Sequence, residues 1–416
     1  MRVIADLHIH SRFSAACSRE MEIARLAWWA KRKGLTLLGT GDFTHPIYLT
    51  SLRQQLEPAE DGLFRLHDGE REVRFMLTVE VTNIFRHEGR LRKTHTLIFA
   101  PSFAVVDRLN ARLAAYGNLA LDGRPTLNCT ARELLRIVKD TAPDCEVIPA
   151  HVWTPWFSVL GSLSGFSSLA ECYGEDVHHI RAVETGLSSD PAMNWRLSSL
   201  DPVALISNSD AHSPRKLARE ANVLNCDLSY TSVLDALTSH NPARFLHTIE
   251  FFPEEGKYHL DGHRQCKVYL PPAETRRMNG HCPVCQKSVT IGVLHRVDAL
   301  ADRDAGYIPP TAIPAVHLLP LEEIIAAVVG AKPSAKKVTV EYDRLVNYYG
   351  SELHILLDLD ETDLTKQTPA RVVEGIMNVR RGKVRISPGY DGVYGTVTVF
   401  ADTPSSQQIN SSTILG

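Results

Sequence analysis

No stretch of about 18 consecutive apolar residues occurs in the chain, so no segment is predicted to cross a bilayer as a helix. The start of the sequence also lacks the charged lead, apolar stretch and small-residue cleavage site of a secretory signal. Cysteine is scarce: 8 residues in 416. That is too few, too widely scattered, to form a disulfide framework. A reduced, cytoplasmic protein without a membrane partner is expected. Neither sign of charge dominates. Lys and Arg total 45 against 48 for Asp and Glu, a net charge of −3. This excludes a polybasic nucleic-acid binder, and any such surface must be a local patch. There is no internal repeat. What is present is ordinary for a globular protein of more than one domain, with 44% hydrophobic and 22% charged residues.

The first run, Val3-Ile4-Ala5-Asp6-Leu7-His8-Ile9-His10, alternates apolar and polar residues. In a strand, alternate side chains share a face, so Asp6, His8 and His10 project together. A lone His-x-His is as readily a polar strand edge as a metal site. Here the pattern recurs. Leu35–Leu38 runs into Thr40-Gly41-Asp42-Phe43-Thr44-His45, Phe75–Val81 carries Glu80 and Thr94–Phe99 carries His95. Glu146–Ala150 delivers His151, Arg181–Val183 delivers Glu184, and Val203–Ile206 delivers Ser207-Asn208-Ser209-Asp210-Ala211-His212. Helices fit Ser18–Lys33, Ala104–Tyr116, Ala131–Thr141 behind the capping box Thr130-x-x-Glu133, and Tyr230–Ser239. Short buried strands alternating with helices predict an α/β fold with a largely parallel sheet, open or closed into a barrel. In such barrels the functional residues sit at the strands' C-terminal ends.

The candidate ligands are His8, His10, Asp42, His45, Glu80, His95, His151, Asp210 and His212. Imidazole with carboxylate suits zinc, manganese or iron better than magnesium alone. These are too many donors for one tetrahedral ion, so two or three divalent metals are implied (Zn²⁺, Mn²⁺ or Mg²⁺), with Glu80 able to bridge. Paired ions about 3.5–4 Å apart suit hydrolysis of a phosphoester. Asp210, His212, Glu80 and His151 are the candidate catalytic residues. In this order, His8-x-His10, Thr40-Gly41-Asp42, Glu80, His95, His151 and Asp210-x-His212 resemble the polymerase-and-histidinol-phosphatase (PHP) domain. The resemblance covers about residues 1–250 and implies a distorted seven-stranded α/β barrel with a trinuclear metal site. The chain departs from it at Asp42-Phe43, where many such proteins have Asp-His. It departs again after His-x-His, where Phe13, Ser14 and Cys17 occupy the stretch in which a further ligand is expected.

The texture changes after about residue 252. His263-x-x-Cys266 and Cys282-x-x-Cys285 form two short pairs across a loop, as in a zinc ribbon. One structural Zn²⁺ is expected, with His263 preferred over His281 as the fourth ligand; a redox pair at Cys282-x-x-Cys285 is the alternative. The predicted organisation is 1–251 metallo-hydrolase domain, 252–300 zinc ribbon, 301–402 smaller C-terminal α+β domain and 403–416 flexible tail. Three long stretches, Tyr258–Cys266, Thr290–Val297 and Pro388–Gly395, together with Cys282-Pro283-Val284-Cys285, resemble the endonuclease Q family over nearly the whole chain. That resemblance implies incision of DNA 5′ to a deaminated base (uracil, hypoxanthine, xanthine) or an abasic site, leaving a 3′-hydroxyl and a 5′-phosphate. A sliding clamp as partner is not indicated by the sequence.

Substrate contacts are expected from Trp153 and Trp156, which could stack on a flipped base, and from Arg86, Arg92 and Glu184. The basic stretch Arg371, Arg380, Arg381, Lys383, Arg385 is a candidate DNA grip. Core packing for the tryptophans and a solvated face for the arginines are the competing readings. The competing functions are a PHP-type phosphatase of a small phosphorylated metabolite, a proofreading exonuclease, and a non-catalytic DNA-binding protein.

Overall fold

The computed structural model describes residues 1–400; the tail expected at 403–416 lies outside them. The fold is mixed α/β. The main sheet runs, in hydrogen-bonded order, Ala315–His317, Phe245–Glu250, Ala221–Asn225, Arg2–Asp6, Leu37–Gly39, Arg74–His87, Phe64–Leu66 and Leu56–Pro58. Arg74–His87 also pairs with Arg90–Ala100, which pairs in turn with Glu146–Pro149. Ala182–Glu184 and Ala204–Ile206 form a separate parallel pair.

The sheet is less parallel than the strand–helix alternation predicts. Arg2–Asp6, Leu37–Gly39 and Arg74–His87 are parallel neighbours. The next strand, Arg90–Ala100, is antiparallel, with His87 opposite Arg90. The cause is local. Only Glu88 and Gly89 lie between the paired ends, both at positive φ (48° and 77°), the geometry of a tight hairpin turn. A parallel return needs a crossover of a dozen residues or more. The hairpin keeps Glu80 and His95, on neighbouring strands, at the same end of the sheet.

Strand side chains meet in a shared apolar interior. Val3, Ala5 and Leu7 share it with Leu37, Met76, Leu97, Ile148, Ala182, Ala204, Ile206 and Leu224. Ile4 faces the other way, into the larger cluster under the helices. Ile9 joins that second cluster rather than the first, because the regular strand ends at Asp6. The capping box at Thr130 and Glu133 is formed, and the helix behind it spans Ala131–Thr141. The helix expected from Ser18 begins only at Ile23. Ser18 is drawn into a loop, where its N–H donates to the His212 carbonyl at 2.8 Å. Beyond the cysteine pairs, Ala315–His317 returns to the main sheet beside Phe245–Glu250. The helices Leu321–Val329, Lys336–Tyr349 and Ala370–Arg380 follow. Among the described residues, no helix is long and apolar enough to cross a membrane.

Candidate metal centre

Six residues from five separate segments converge at one end of the strands. His8 and His10 leave the first strand, Glu80 and His95 come from the hairpin, and His151 and Asp210 follow strand ends. Ligand atoms of His8, His10, Glu80 and Asp210 lie within 4.8 Å of one another, as do those of Glu80, His95 and His151. Glu80 belongs to both groups. Its Oε2 is 3.2 Å from His10 Nε2, and its Oε1 is 2.8 Å from His95 Nδ1 and 3.0 Å from His151 Nε2. One carboxylate thus faces two sets of donors. His151 (φ 29°) and Asp210 (φ 47°) are held in the left-handed backbone region, which non-glycine residues enter only where the surroundings enforce it.

Two further carboxylates stand behind the histidines. Glu184 is fully buried and accepts from His8 Nδ1 at 3.0 Å. Asp42, expected as a ligand, lies on the far side of His10. It accepts from His10 Nδ1 at 3.2 Å and from the Ser11 N–H and hydroxyl, each at 2.6 Å. Since a carboxylate only accepts, these bonds keep a proton on Nδ1 of each imidazole and turn Nε2 toward the cluster, where His10 Nε2 lies 3.1 Å from Asp210 Oδ1. This is how metal-binding histidines are commonly oriented. His45 is apart from the cluster, its ring stacked on Phe13 at 4.4 Å. His212 lies over His10 with ring centroids 4.6 Å apart, at the cleft wall.

The electrostatics follow from burying many charges together. Burial opposes charge on His8, but Glu184, Glu80 and Asp210 outweigh it and raise its pKa well above the ordinary value. His10 is raised in the same way by Asp210, Asp42 and Glu80. Burial lowers His95 to about 4 despite Glu80 beside it. Against burial, His95, His8 and Arg124 hold Glu80 well below the usual carboxylate range. One atom of the six clustered side chains remains unmatched. His8 Nε2 is buried without a hydrogen bond, although Glu80 and Asp210 oxygens are each 3.5 Å away. Facing two carboxylates, this nitrogen is where either a proton or a divalent cation balances the charge. The donor set fits a bound metal.

The cluster opens into a cleft of about 950 Å³ lined by His95, Arg124, His151, Trp156, Asp210 and His212, among others. A second hollow of about 650 Å³ adjoins it, sharing Thr154, Trp156 and Ser188 and adding Tyr258, His259 and Tyr394. Of the expected substrate contacts, Trp156 is in place, 42% exposed at the junction of the two hollows. Trp153 is not. It is completely buried and its indole N–H donates to Asn194 at 2.7 Å, so it packs the core. Arg92 is buried on Phe166 and donates to the Gly165 carbonyl, which leaves it no face for a phosphate. Arg86 is on the hairpin tip, bonded to the Gly89 carbonyl at 3.3 Å. Glu184 has no surface to offer a substrate. In the far basic stretch, Arg371 and Arg381 pair with Glu374 and Glu361, and Arg380 donates to backbone carbonyls.

Arg124 escapes sequence reasoning. It donates to Glu80 Oε2 at 3.0 Å and lines the cleft. It comes from a loop without periodicity, and its partner is 44 positions away. Elsewhere, His263, Cys266, Cys282 and Cys285 bring one ligand atom each within 4.8 Å. His281 is turned out of this group, its Nδ1 2.7 Å from the Asn279 carbonyl.

The chain is similar over 96% of its length to solved structures. The lesion-specific endonuclease PfuEndoQ of Pyrococcus furiosus aligns over 96% of this chain and 95% of its own, with 32% identity and a TM-score of 0.86. An endonuclease Q in complex with a 27-mer duplex carrying an abasic lesion at the active site aligns over 96% and 97%, with 32% identity and a TM-score of 0.84. The protein MJ0043 of Methanocaldococcus jannaschii is 32% identical over 256 residues, 60% of this chain. The match spans 31% of that longer protein. A family model, the MJ0043 C-terminal domain, matches residues 320–383.

Proposed function

Because the chain belongs to the endonuclease Q family, we propose that it is a metal-dependent DNA repair endonuclease of the cytoplasm. Its substrate would be DNA with a uracil, hypoxanthine, xanthine or abasic site, cut on the 5′ side to leave a 3′-hydroxyl and a 5′-phosphate. The observation that carries this reading is the buried, unpartnered His8 Nε2 facing Glu80 and Asp210 at the base of an open cleft. The shared interior of alternating strand residues supports the distorted seven-stranded barrel. The Cys₃His group supports a structural zinc in a 252–300 ribbon, followed by a C-terminal domain from 301.

His8, His10, Glu80 and Asp210 would hold one ion, and Glu80, His95 and His151 a second. When bound, such divalent ions polarise a phosphate and make a water acidic enough to attack it near neutral pH. The chain's own groups prepare the site. Glu184 and Asp42 fix the tautomers of His8 and His10. His95, its pKa lowered to about 4 by burial, is a neutral donor at neutral pH. Arg124 brings a fixed positive charge to the cleft, where a phosphodiester oxygen needs one. Burial lowers the pKa of His212, which lies at the cleft wall and could take up a proton there. The aromatic hollow of Trp156, Tyr258 and Tyr394 suits an unstacked base. Unpairing costs a few kcal/mol and least for a mispaired base, which favours lesions before any hydrogen bond reads them.

The test is an end-labelled duplex with one uracil or hypoxanthine, incubated with manganese or magnesium. A single cut 5′ to the lesion, extendable by a polymerase and abolished by chelator, is expected. Intact DNA together with hydrolysis of a small phosphomonoester would replace this reading with a phosphatase.

A further inference from the structure

The strand pair Ala182–Glu184 and Ala204–Ile206 is not part of the main sheet. On each side of it lies a seam, and ligand-bearing segments border both. His151 follows the strand on one side; His8 and His10 follow the strand on the other. Backbone links across these seams are few: Val152 N–H to the Glu184 carbonyl at 3.0 Å, and an isolated bridge between Ile9 and Ala211. Side chains do the remaining joining, and they converge on Glu184.

Glu184 is fully buried, and each of its oxygens is shared. Oε1 accepts from His8 Nδ1 and from Asn208 Nδ2, both at 3.0 Å. Oε2 accepts from the His151 N–H at 2.9 Å and also lies 3.0 Å from His8 Nδ1. Asn208 cannot turn its amide over. Its Oδ1 already accepts from the Leu7 N–H at 2.8 Å and from Asn222 Nδ2 at 3.1 Å. Asn222 in turn donates to the Ser207 carbonyl at 2.7 Å and accepts from the Ser207 N–H at 3.0 Å. The side chains of Glu184, Asn208 and Asn222 are buried and each is hydrogen-bonded, the condition under which such networks specify one geometry.

We propose that Glu184 is a positioning residue that sets the tautomer of His8 and fixes His8, His151 and the Asp210 loop in one register across the open seams. The inference rests on the metal-dependent reading above. Its chemistry is specific to a carboxylate, because all three neighbours are donors. A glutamine of the same shape offers one acceptor and one amide. The amide would meet Asn208 Nδ2–H or the His151 N–H donor to donor. Removing an outer carboxylate of this kind lowers metal affinity about 10–100-fold.

The test uses the full chain. Mn²⁺, which thiolate sites do not favour, is titrated by electron paramagnetic resonance into the parent and into Glu184→Gln. The expected result is a 10–100-fold weaker affinity in a variant whose melting midpoint is kept within about 5 °C. In parallel, histidine-selective ¹⁵N NMR on the zinc-loaded parent should find His8 with its proton on Nδ1, assigned through the signal missing from His8→Gln. Unchanged Mn²⁺ affinity in folded Glu184→Gln would overturn the proposal. So would a proton on Nε2 of His8 in the parent, a result that does not depend on Glu184→Gln folding. A parent that binds no Mn²⁺ would remove the functional reading itself, and this inference with it.

Discussion

Asp210 combines two properties that one substitution can separate. Its backbone sits at φ 47°, a conformation asparagine adopts more readily than most residues. Its carboxylate lies 3.1 Å from His10 Nε2 and 3.5 Å from His8 Nε2. Asp210→Asn therefore keeps the turn and the volume but removes the anion. Incision is expected to fall by at least about 10²-fold, ~2.7 kcal/mol in the barrier, with the melting curve retained. A folded Asp210→Asn protein that cuts like its parent would take Asp210 out of the site. This residue was legible in the sequence because it follows a short apolar run that could hardly be anything but a buried strand. Trp153, Arg92 and Glu184 were misread for a common reason. Their types suit substrate contact, but which way a side chain faces after a strand ends is decided by partners far away in sequence. Asn194, Gly165 and His8 are those partners, at separations of 41, 73 and 176 residues.

Elements with their own local chemistry were the most legible. The Thr130–Glu133 capping box and the Cys-x-x-Cys spacing need nothing beyond a few neighbouring residues. The Glu88-Gly89 turn is equally local and accounts for one antiparallel pairing; the others, such as Arg2–Asp6 with Ala221–Asn225, join strands far apart in sequence and left no such signal. The His263, Cys266, Cys282 and Cys285 cluster, proposed above as a zinc ribbon, has a correspondingly local failure mode. Its apolar cluster of buried residues is Leu270, Cys282 and Val289, with Cys266, Val268, Cys285 and Ile291 packed against it. So small a core is not expected to hold an independent fold without a staple. Cys285→Ser should release about one zinc per chain and open residues 252–300 to protease. The strands that carry His8 and Asp210 should remain protected. Equal zinc content and equal protease resistance in Cys285→Ser would instead favour a plain thiol pair.

At the scale of the whole molecule, the C-terminal helices are tied to the catalytic part by an internal ion pair. Lys33 ends the helix Ile23–Lys33 and is 2% exposed; Glu352 is 3% exposed. Lys33 Nζ donates to Glu352 Oε2 at 2.6 Å, where the Tyr342 hydroxyl also donates, at 2.7 Å. The Leu321 N–H donates to Glu352 Oε1 at 3.0 Å. Arg215 reaches in to the buried Glu322, and Arg2–Asp358 and Lys216–Glu323 flank this junction nearer the surface, where exposed pairs contribute about 0–1 kcal/mol each. The buried pair is different, because removing one partner strands the other. Glu352→Ala leaves an ammonium, a hydroxyl and an amide without their acceptor, and about 3–5 kcal/mol of stability should be lost. Lys33→Met should cost less, since Glu352 keeps both neutral donors and the new side chain is apolar. Urea unfolding of the two variants measures the order directly. A Glu352→Ala protein within about 1 kcal/mol of the parent would mean that the strand Ala315–His317 and the apolar contacts, rather than this ion pair, hold the two parts together.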